Sequence, residues 1–140
     1  MRKILFTFPG QGPQYPEMLQ QLPDGEAWLA QASDILGEDA RQLDTAAALQ
    51  HTRAGQLSLL ISGVAWASHL AAQQLTPDFI SGLSIGAFPA AVVAGALVAE
   101  AVATVEGEAT EVGTAGAPAS RPPELGAVGM GDALRAAAAG

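Results

Sequence analysis

Two short apolar runs, each ended by a glycine-containing turn, stand out in the first hundred residues. Ile4 to Phe8 is rich in β-forming residues and is closed by Pro9 and Gly10. A second run, from Asp78 to Gly82, has the same character. The pattern predicts two buried strands, each leading directly into a turn.

Longer segments with helical spacing separate and follow these runs. One helix is predicted from about Glu26 to Leu36, with Asp24 as its cap and Gly37 as its stop. A second is predicted from about Ala54 to Gln74, and a third, strongly apolar one runs to about Leu97. The second helix repeats apolar residues along one face, namely Leu57, Leu60, Ile61, Val64 and Leu70. The order of strand, helices, strand and helix predicts an α/β fold with a parallel sheet.

The composition changes near Val98. Residues 98–140 are dominated by alanine, glycine, glutamate, threonine and proline, and they contain no aromatic residue. We therefore divide the chain into a domain at 1–97 and an Ala/Gly/Glu-rich tail at 98–140. The tail is expected to be largely disordered, with short helices in 100–111 and 132–139.

Charge and composition exclude several classes of function. The net charge is −8, which opposes binding to nucleic acid or to an anionic membrane. The absence of cysteine excludes thiol nucleophiles and disulfides, and no cluster of acidic residues and histidine has metal-ligand spacing. With no signal-like or membrane-spanning run, the expectation is a cytoplasmic protein without a bound cofactor or metal.

The candidate chemistry lies in the turn after the second strand. Gly82-Leu83-Ser84-Ile85-Gly86 fits the Gly-x-Ser-x-Gly nucleophile elbow, in which a strand reverses sharply into a helix. Glycines are needed two residues on either side of the serine because side chains there would collide. The serine hydroxyl would stand exposed beside backbone N–H groups suited to a developing oxyanion. The alternative to a nucleophile elbow is an ordinary strand-to-helix turn with a capping serine.

A second glycine-rich turn follows the first strand. Gly10-Gln11-Gly12-Pro13-Gln14 could bring backbone close to a ligand, or it could be a simple turn. Successive parallel strands end at the same sheet edge, where ligands bind. The topology therefore predicts that this turn and Ser84 lie together.

Three segments in order resemble the malonyl-CoA:acyl carrier protein transacylase family. Residues Phe8 to Gln14 resemble its Phe-Pro-Gly-Gln-Gly-x-Gln motif, and Gly82 to Gly86 resemble its Gly-His-Ser-x-Gly elbow. Thr52 to Leu60 is similar to an intervening Thr-x-x-Ala-Gln-x-x-Leu segment, with Gly55 in place of alanine. The run from Gly82 to Val92 looks most like the epsilon subunit of malonate decarboxylase. The resemblance covers only an amino-terminal part of the family domain.

The resemblance implies a three-layer acyltransferase core around a parallel sheet and a role for several residues. Ser84 matches the acylated nucleophile, and the backbone N–H groups of Gln11 and Ile85 match the oxyanion hole. Further positions match the substrate-binding motifs, namely Gly10, Gly12, Gln56 and Leu83. The implied reaction moves a malonyl group from malonyl-CoA to the prosthetic-group thiol of an acyl carrier protein. Other malonate decarboxylase subunits are further expected partners, and no metal is implied.

The chain also departs from the family pattern. Leu83 and Ala87 replace the usual histidine and glutamate, which favours the malonate decarboxylase branch over fatty-acid or polyketide transacylases. About twenty-five residues beyond Ser84, where the family has a carboxylate-binding arginine, this chain has Ala109, and no histidine follows His69. A truncated or frame-shifted, non-catalytic fragment is therefore the alternative. An α/β-hydrolase shares the elbow but lacks the Gly-Gln-Gly turn.

The remaining candidate residues have ordinary structural explanations. His51 and His69 match no family base, and we expect a helix-end and a helix-surface histidine. Asp78 is interpreted as a turn or cap residue. The large aromatic residues Trp28, Trp66 and Phe88 are expected in the core.

Overall fold

The computed structural model describes residues 2–95, 133–135 and 137–138. Two strands and three α-helices lie within residues 2–95, together with short 3₁₀ turns, and residues 133–135 and 137–138 are also helical. In chain order the α-helices and strands are β1 (Leu5–Phe8), α1 (Gly25–Leu36), α2 (Thr52–Ala72), β2 (Phe79–Gly82) and α3 (Ala87–Ala94). The 3₁₀ turns are Met18–Gln21, Ala40–Gln42, Ala48–Gln50 and Ser84–Gly86. The predicted order of elements is confirmed.

The two strands pair in parallel, as predicted. Leu5 lies opposite Phe79 and Phe8 lies opposite Gly82, so the two strands end at the same edge. Asp78 fastens the other end, because its Oδ2 accepts a hydrogen bond of 2.8 Å from the backbone N–H of Ile4. The register therefore brings the two glycine-containing turns together.

Helices α2 and α3 cover one face of this sheet. Side chains from both strands and both helices form a small core cluster of Phe8, Ala67, Ile80, Ala90 and Val93. On α2, Gly63 allows close approach, since a Cβ there would lie 3.0 Å from ring atom Cδ1 of Phe8 and from Cβ of Pro89. The opposite face carries Leu5 and Phe79, which are 57% and 40% exposed. The described residues thus form two layers of the three-layer core that the resemblance implies.

A larger core cluster lies between α1, α2 and α3. Leu57, Leu60, Ile61 and Val64 are fully buried on α2, which confirms the predicted apolar face, whereas Leu70 is only partly buried. Ala133 and Leu134, from the region predicted as a tail, are helical and fully buried in this cluster. Residues 133–135 and 137–138 are helical, as predicted for 132–139, whereas the predicted helix at 100–111 lies outside the described residues.

Three local expectations need correction. Helix α3 ends at Ala94, because Gly95 adopts a left-handed conformation with φ of 69°; Leu97 lies outside the described residues. Asp24 precedes α1, but its side chain caps no N–H group, since its own backbone is left-handed with φ of 52°. Trp66 is 47% exposed rather than buried and packs edge-on against His69, with ring centroids 5.9 Å apart.

Candidate active site

The backbone at Ser84 is held in a conformation that serine rarely adopts. Leu83 is extended, with φ of −104° and ψ of 123°, whereas Ser84 has a left-handed φ of 54°. Such a conformation costs a non-glycine residue about 1–2 kcal/mol. The reversal is closed by a hydrogen bond of 2.9 Å from the N–H of Gly86 to the carbonyl oxygen of Leu83. The chain therefore turns directly from β2 into α3, as an elbow requires.

The two glycines of the elbow are dictated by backbone crowding. A Cβ at Gly82 would overlap the carbonyl group of Gly86, and a Cβ at Gly86 would overlap the carbonyl group of Phe8. Each overlap is with backbone atoms, which cannot move aside as a flexible side chain could. The glycine positions predicted from the motif are therefore sterically required in this fold.

The turn after β1 lies against the elbow. The N–H of Leu83 donates to the carbonyl oxygen of Phe8 at 3.1 Å, which continues the sheet pairing beyond the strand end. A Cβ at Gly10 would lie 3.2 Å from the carbonyl oxygen of Leu83 and 3.7 Å from Cβ of Ser84. Only a glycine allows this close approach without displacement. The predicted meeting of the two turns is thus observed.

The predicted site residues differ in exposure. Ser84 is exposed at the elbow, and the neighbouring side chain of Leu83 is 68% exposed. Ile85 points into the larger core and is buried. Gln11 and Gly12 are exposed in the loop that follows β1. A serine placed in this way is open to a substrate from solvent.

Gln56 lies in the first turns of α2, next to Gly55, which contacts the loop after β1. The side chain of Gln14 packs on the neighbouring Gly55, where a Cβ would lie 3.2 Å from Nε2 of Gln14. Gln14 also accepts a hydrogen bond of 2.7 Å at its Oε1 from the N–H of Gly12. The loop after β1 and the start of α2 are therefore joined through Gln14 in the folded chain.

Neither histidine is engaged with the candidate nucleophile. His51 is exposed just before α2, and His69, near the other end of that helix, contacts Nε2 of Gln73 at 2.7 Å through its own Nε2. Among the described residues, no hydrogen bond is seen at the Ser84 hydroxyl. Both histidines thus have the surface and helix-end positions predicted for them.

The described part of the chain contains neither a metal-binding cluster nor a membrane-spanning helix. Within it, no three acidic or histidine residues come together in a way that could hold a metal ion. Likewise, none of its helices combines the length and apolar character needed to cross a membrane.

An apolar groove lies between β1 and α2 rather than at the elbow. It has a volume of about 440 Å³ and runs between β1 and α2, where Trp66 and Tyr15 line it together with Pro9 and Pro13 of the loop. Ser84 is not among its lining residues. The geometry of the elbow, and not this groove, therefore identifies the candidate site.

Sequence reasoning missed two residues that organise the site. Gln14 was recognised only as part of a motif, although it links that motif to α2. Gly63 received no interpretation, although it lets α2 approach both β1 and α3. A glycine inside a predicted helix is unfavourable by about 1 kcal/mol relative to alanine, so its presence was a usable signal of close packing.

Known proteins resemble this chain in sequence and in fold. No family model matches the sequence. The malonyl CoA-acyl carrier protein transacylase of Bacillus subtilis (strain 168) is 35% identical over 104 residues, which cover 69% of this chain and 33% of that protein.

Solved structures give the same result. An acyl-carrier-protein S-malonyltransferase from Burkholderia pseudomallei 1710b has a TM-score of 0.57 at 34% identity, covering 67% of this chain and 33% of that one. A malonyl-transacylase solved with a type II polyketide acyl-carrier protein has a TM-score of 0.57 at 32% identity, covering 67% and 33%. The chain spans about a third of the length of the relatives it matches. In sequence and in fold, the chain therefore resembles malonyl-CoA–acyl carrier protein transacylases over this part of their length.

Proposed function

We propose that this chain carries the nucleophile of a malonyl transferase and that Ser84 is the residue acylated. The observation that carries the proposal is the left-handed backbone of the exposed Ser84 between two sterically required glycines, with the Gly10 loop alongside. The named relatives are transacylases that act with malonyl-CoA and an acyl carrier protein. Malonyl-CoA and an acyl carrier protein are accordingly the proposed substrate and partner.

The proposed reaction has two steps that mirror each other. The Oγ of Ser84 attacks the thioester carbonyl of malonyl-CoA; a carbon–oxygen bond forms, the carbon–sulfur bond breaks, and the serine proton leaves with the CoA thiol. The thiol of the carrier's prosthetic group then attacks the malonyl ester, and its proton returns to Ser84. A base is needed to move the proton in each step.

We assign the surrounding residues to supporting roles. The backbone N–H groups of Gln11 and Ile85 stabilise the negative charge that develops on the carbonyl oxygen. Contacts to the substrate come from the residues around them, namely Gly10, Gly12, Gln56 and Leu83. The adjacency of Gly10 to Ser84 and the exposure of Leu83 support this arrangement.

Within the family, we propose the role of the malonate decarboxylase epsilon subunit. The support is the residue pattern at the elbow, where apolar Leu83 and small Ala87 flank the Ser-Ile-Gly segment. In that role the acceptor is the carrier subunit of the same complex. A transacylase of fatty-acid or polyketide synthesis differs from it in the identity of the accepting carrier protein.

A second candidate function is a non-catalytic fragment of such an enzyme. The positions of His51 and His69 favour it, because neither is engaged with Ser84. General-base assistance contributes about 10²–10⁴-fold to such a reaction. The two candidates therefore differ in turnover rather than in fold.

The deciding experiment is transfer of a labelled malonyl group. The protein is incubated with isotopically labelled malonyl-CoA, with and without malonate decarboxylase carrier subunit or fatty-acid acyl carrier protein, and both proteins are analysed by peptide mass spectrometry. We expect label on Ser84 and its passage to the malonate decarboxylase carrier. The variant Ser81→Ala, which changes the exposed serine of β2, is the matched control. Label elsewhere would contradict the assignment of Ser84, whereas label on Ser84 without transfer would favour the fragment.

A further inference from the structure

The loop from Gly10 to Gln14 lies beside Ser84, yet most of it is exposed. Gln11, Gly12 and Pro13 are open to solvent, whereas Gln14 is partly buried. The 2.7 Å hydrogen bond from the N–H of Gly12 to Oε1 of Gln14 is a direct polar link between the exposed loop and this partly buried side chain. The position of the loop therefore depends on how the Gln14 side chain is fixed.

The amide end of Gln14 is fixed by α2. A Cβ at Gly55 would lie 3.2 Å from Nε2 and 3.4 Å from Cδ of Gln14, so the amide rests directly on the helix where a side chain is absent. Glycine inside a helix is less favourable than alanine by about 0.5–1 kcal/mol. The space that Gly55 leaves for Gln14 gives a physical reason for a glycine at this position.

From these contacts we infer that Gln14 is a positioning residue, which fastens the Gly10–Gly12 backbone to α2 and so holds it beside Ser84. One end of its amide accepts the Gly12 N–H group, and the other packs on Gly55. The catalytic consequence rests on the proposed function, in which the Gln11 N–H group stabilises the developing oxyanion. A donor of this kind is effective only if it is held in place before charge develops.

The effect of Gln14 on the loop and its effect on catalysis can be measured separately. Loosening the loop weakens a contact that is made mainly in the transition state, so the rate of acylation falls by a larger factor than the affinity for malonyl-CoA. Loss of the Gln14 contact also frees the Gly12 N–H group, which is visible without any activity.

The first experiment measures amide hydrogen exchange by NMR in the 140-residue chain. In Gln14→Met, which keeps the length of the side chain but removes the acceptor, we expect the Gly12 N–H group to exchange about 3–10-fold faster, as for loss of one hydrogen bond. Gln14→Glu keeps an acceptor oxygen and should restore the slow exchange. Gln20→Met changes an exposed glutamine on the 3₁₀ turn Met18–Gln21 and serves as control. Equal Gly12 exchange in the wild type and Gln14→Met would overturn the inference.

The second experiment measures the rate of Ser84 labelling by malonyl-CoA. For Gln14→Met we expect about a 10-fold lower maximal rate, with a smaller change in the half-saturating concentration; this loss is less than that of a whole oxyanion donor. Gly55→Ala should act in the same direction, because its Cβ presses on the Gln14 amide. An unchanged maximal rate in Gln14→Met would contradict the positioning role. Absence of Ser84 labelling in the wild type would instead refute the proposed function, and the exchange experiment would still decide whether Gln14 holds the loop.

Discussion

The two glycine-rich turns meet at the same edge of the sheet but are held in opposite ways. In the elbow, Gly82 and Gly86 are each surrounded by backbone atoms that leave no room for a Cβ. In the loop after β1, Gly12 has a φ of 141° and no atom within 4 Å of the position that a Cβ would take. The elbow is fixed by backbone sterics, whereas the exposed part of the loop at Gly12 is held by the side chain of Gln14. Substitutions should therefore affect the stability of the two turns very differently.

The largest effect is expected for the elbow glycines. Gly86→Ala or Gly82→Ala forces a methyl group into a carbonyl group, so β1, β2 and α3 must separate. We expect the free energy of unfolding to fall by about 3 kcal/mol or more, above the usual overpacking penalty of about 1–3 kcal/mol. Urea unfolding followed by circular dichroism measures this change. A loss below about 1 kcal/mol in either variant would show that the elbow is not sterically fixed.

A smaller effect is expected at Gly63, which lies between α2, β1 and α3. Its added Cβ would meet the ring of Phe8 and the ring of Pro89 at 3.0 Å, and these side chains can shift slightly. Gly63→Ala should therefore reduce the free energy of unfolding by about 1–2 kcal/mol, partly offset by better helix propensity. The same unfolding experiment applies, with Ala72→Gly at the exposed end of α2 as a test of propensity alone. A stabilised Gly63→Ala protein would contradict the packing described here.

The backbone strain at Ser84 predicts that a substitution there can raise the free energy of unfolding. Glycine adopts a φ of 54° without the penalty that serine incurs, so Ser84→Gly should raise the free energy of unfolding by about 1 kcal/mol, whereas Ser84→Ala should leave it nearly unchanged. Comparing the two variants separates backbone strain from loss of the hydroxyl. If Ser84→Gly were no more stable than Ser84→Ala, the elbow would not be strained.

The smallest effect is expected in the loop. A methyl group at Gly12 meets no neighbour, but alanine is strained at a φ of 141°. Because the exposed backbone can relax to relieve part of that strain, Gly12→Ala should cost about 1 kcal/mol. The rate of Ser84 acylation should fall by more than the small loss in the free energy of unfolding implies, because the relaxed loop no longer holds its N–H groups in place. A loss of stability as large as that of Gly86→Ala would remove the contrast between the two turns.

The sequence was sufficient for features that follow from local patterns and from the order of the predicted elements. The spacing of Gly82, Ser84 and Gly86 predicted the elbow, and the strand order predicted that Gly10 would lie near it. The same reasoning placed α1 and α2 correctly to within about two residues, because their apolar spacing and glycine stops are local signals.

Features that depend on distant residues could not be predicted in the same way. The contact between Gln14 and Gly55 joins residues forty-one positions apart, and no periodicity encodes it. Trp66 was expected in the core because of its size, but its face of α2 lines an open groove. The end of α3 at Gly95 was missed because the apolar pattern continues past the glycine that stops the helix.

The central claim is that the strained elbow presents Ser84 as the acylated nucleophile, and direct mapping of the acyl group tests it. The 140-residue chain, Ser84→Ala and Ser81→Ala are incubated with labelled malonyl-CoA, and modified peptides are identified by mass spectrometry. The account predicts label on Ser84 in the wild type and in Ser81→Ala, and none on the corresponding peptide of Ser84→Ala. Undiminished labelling of Ser84→Ala, or label confined to another residue, would contradict it.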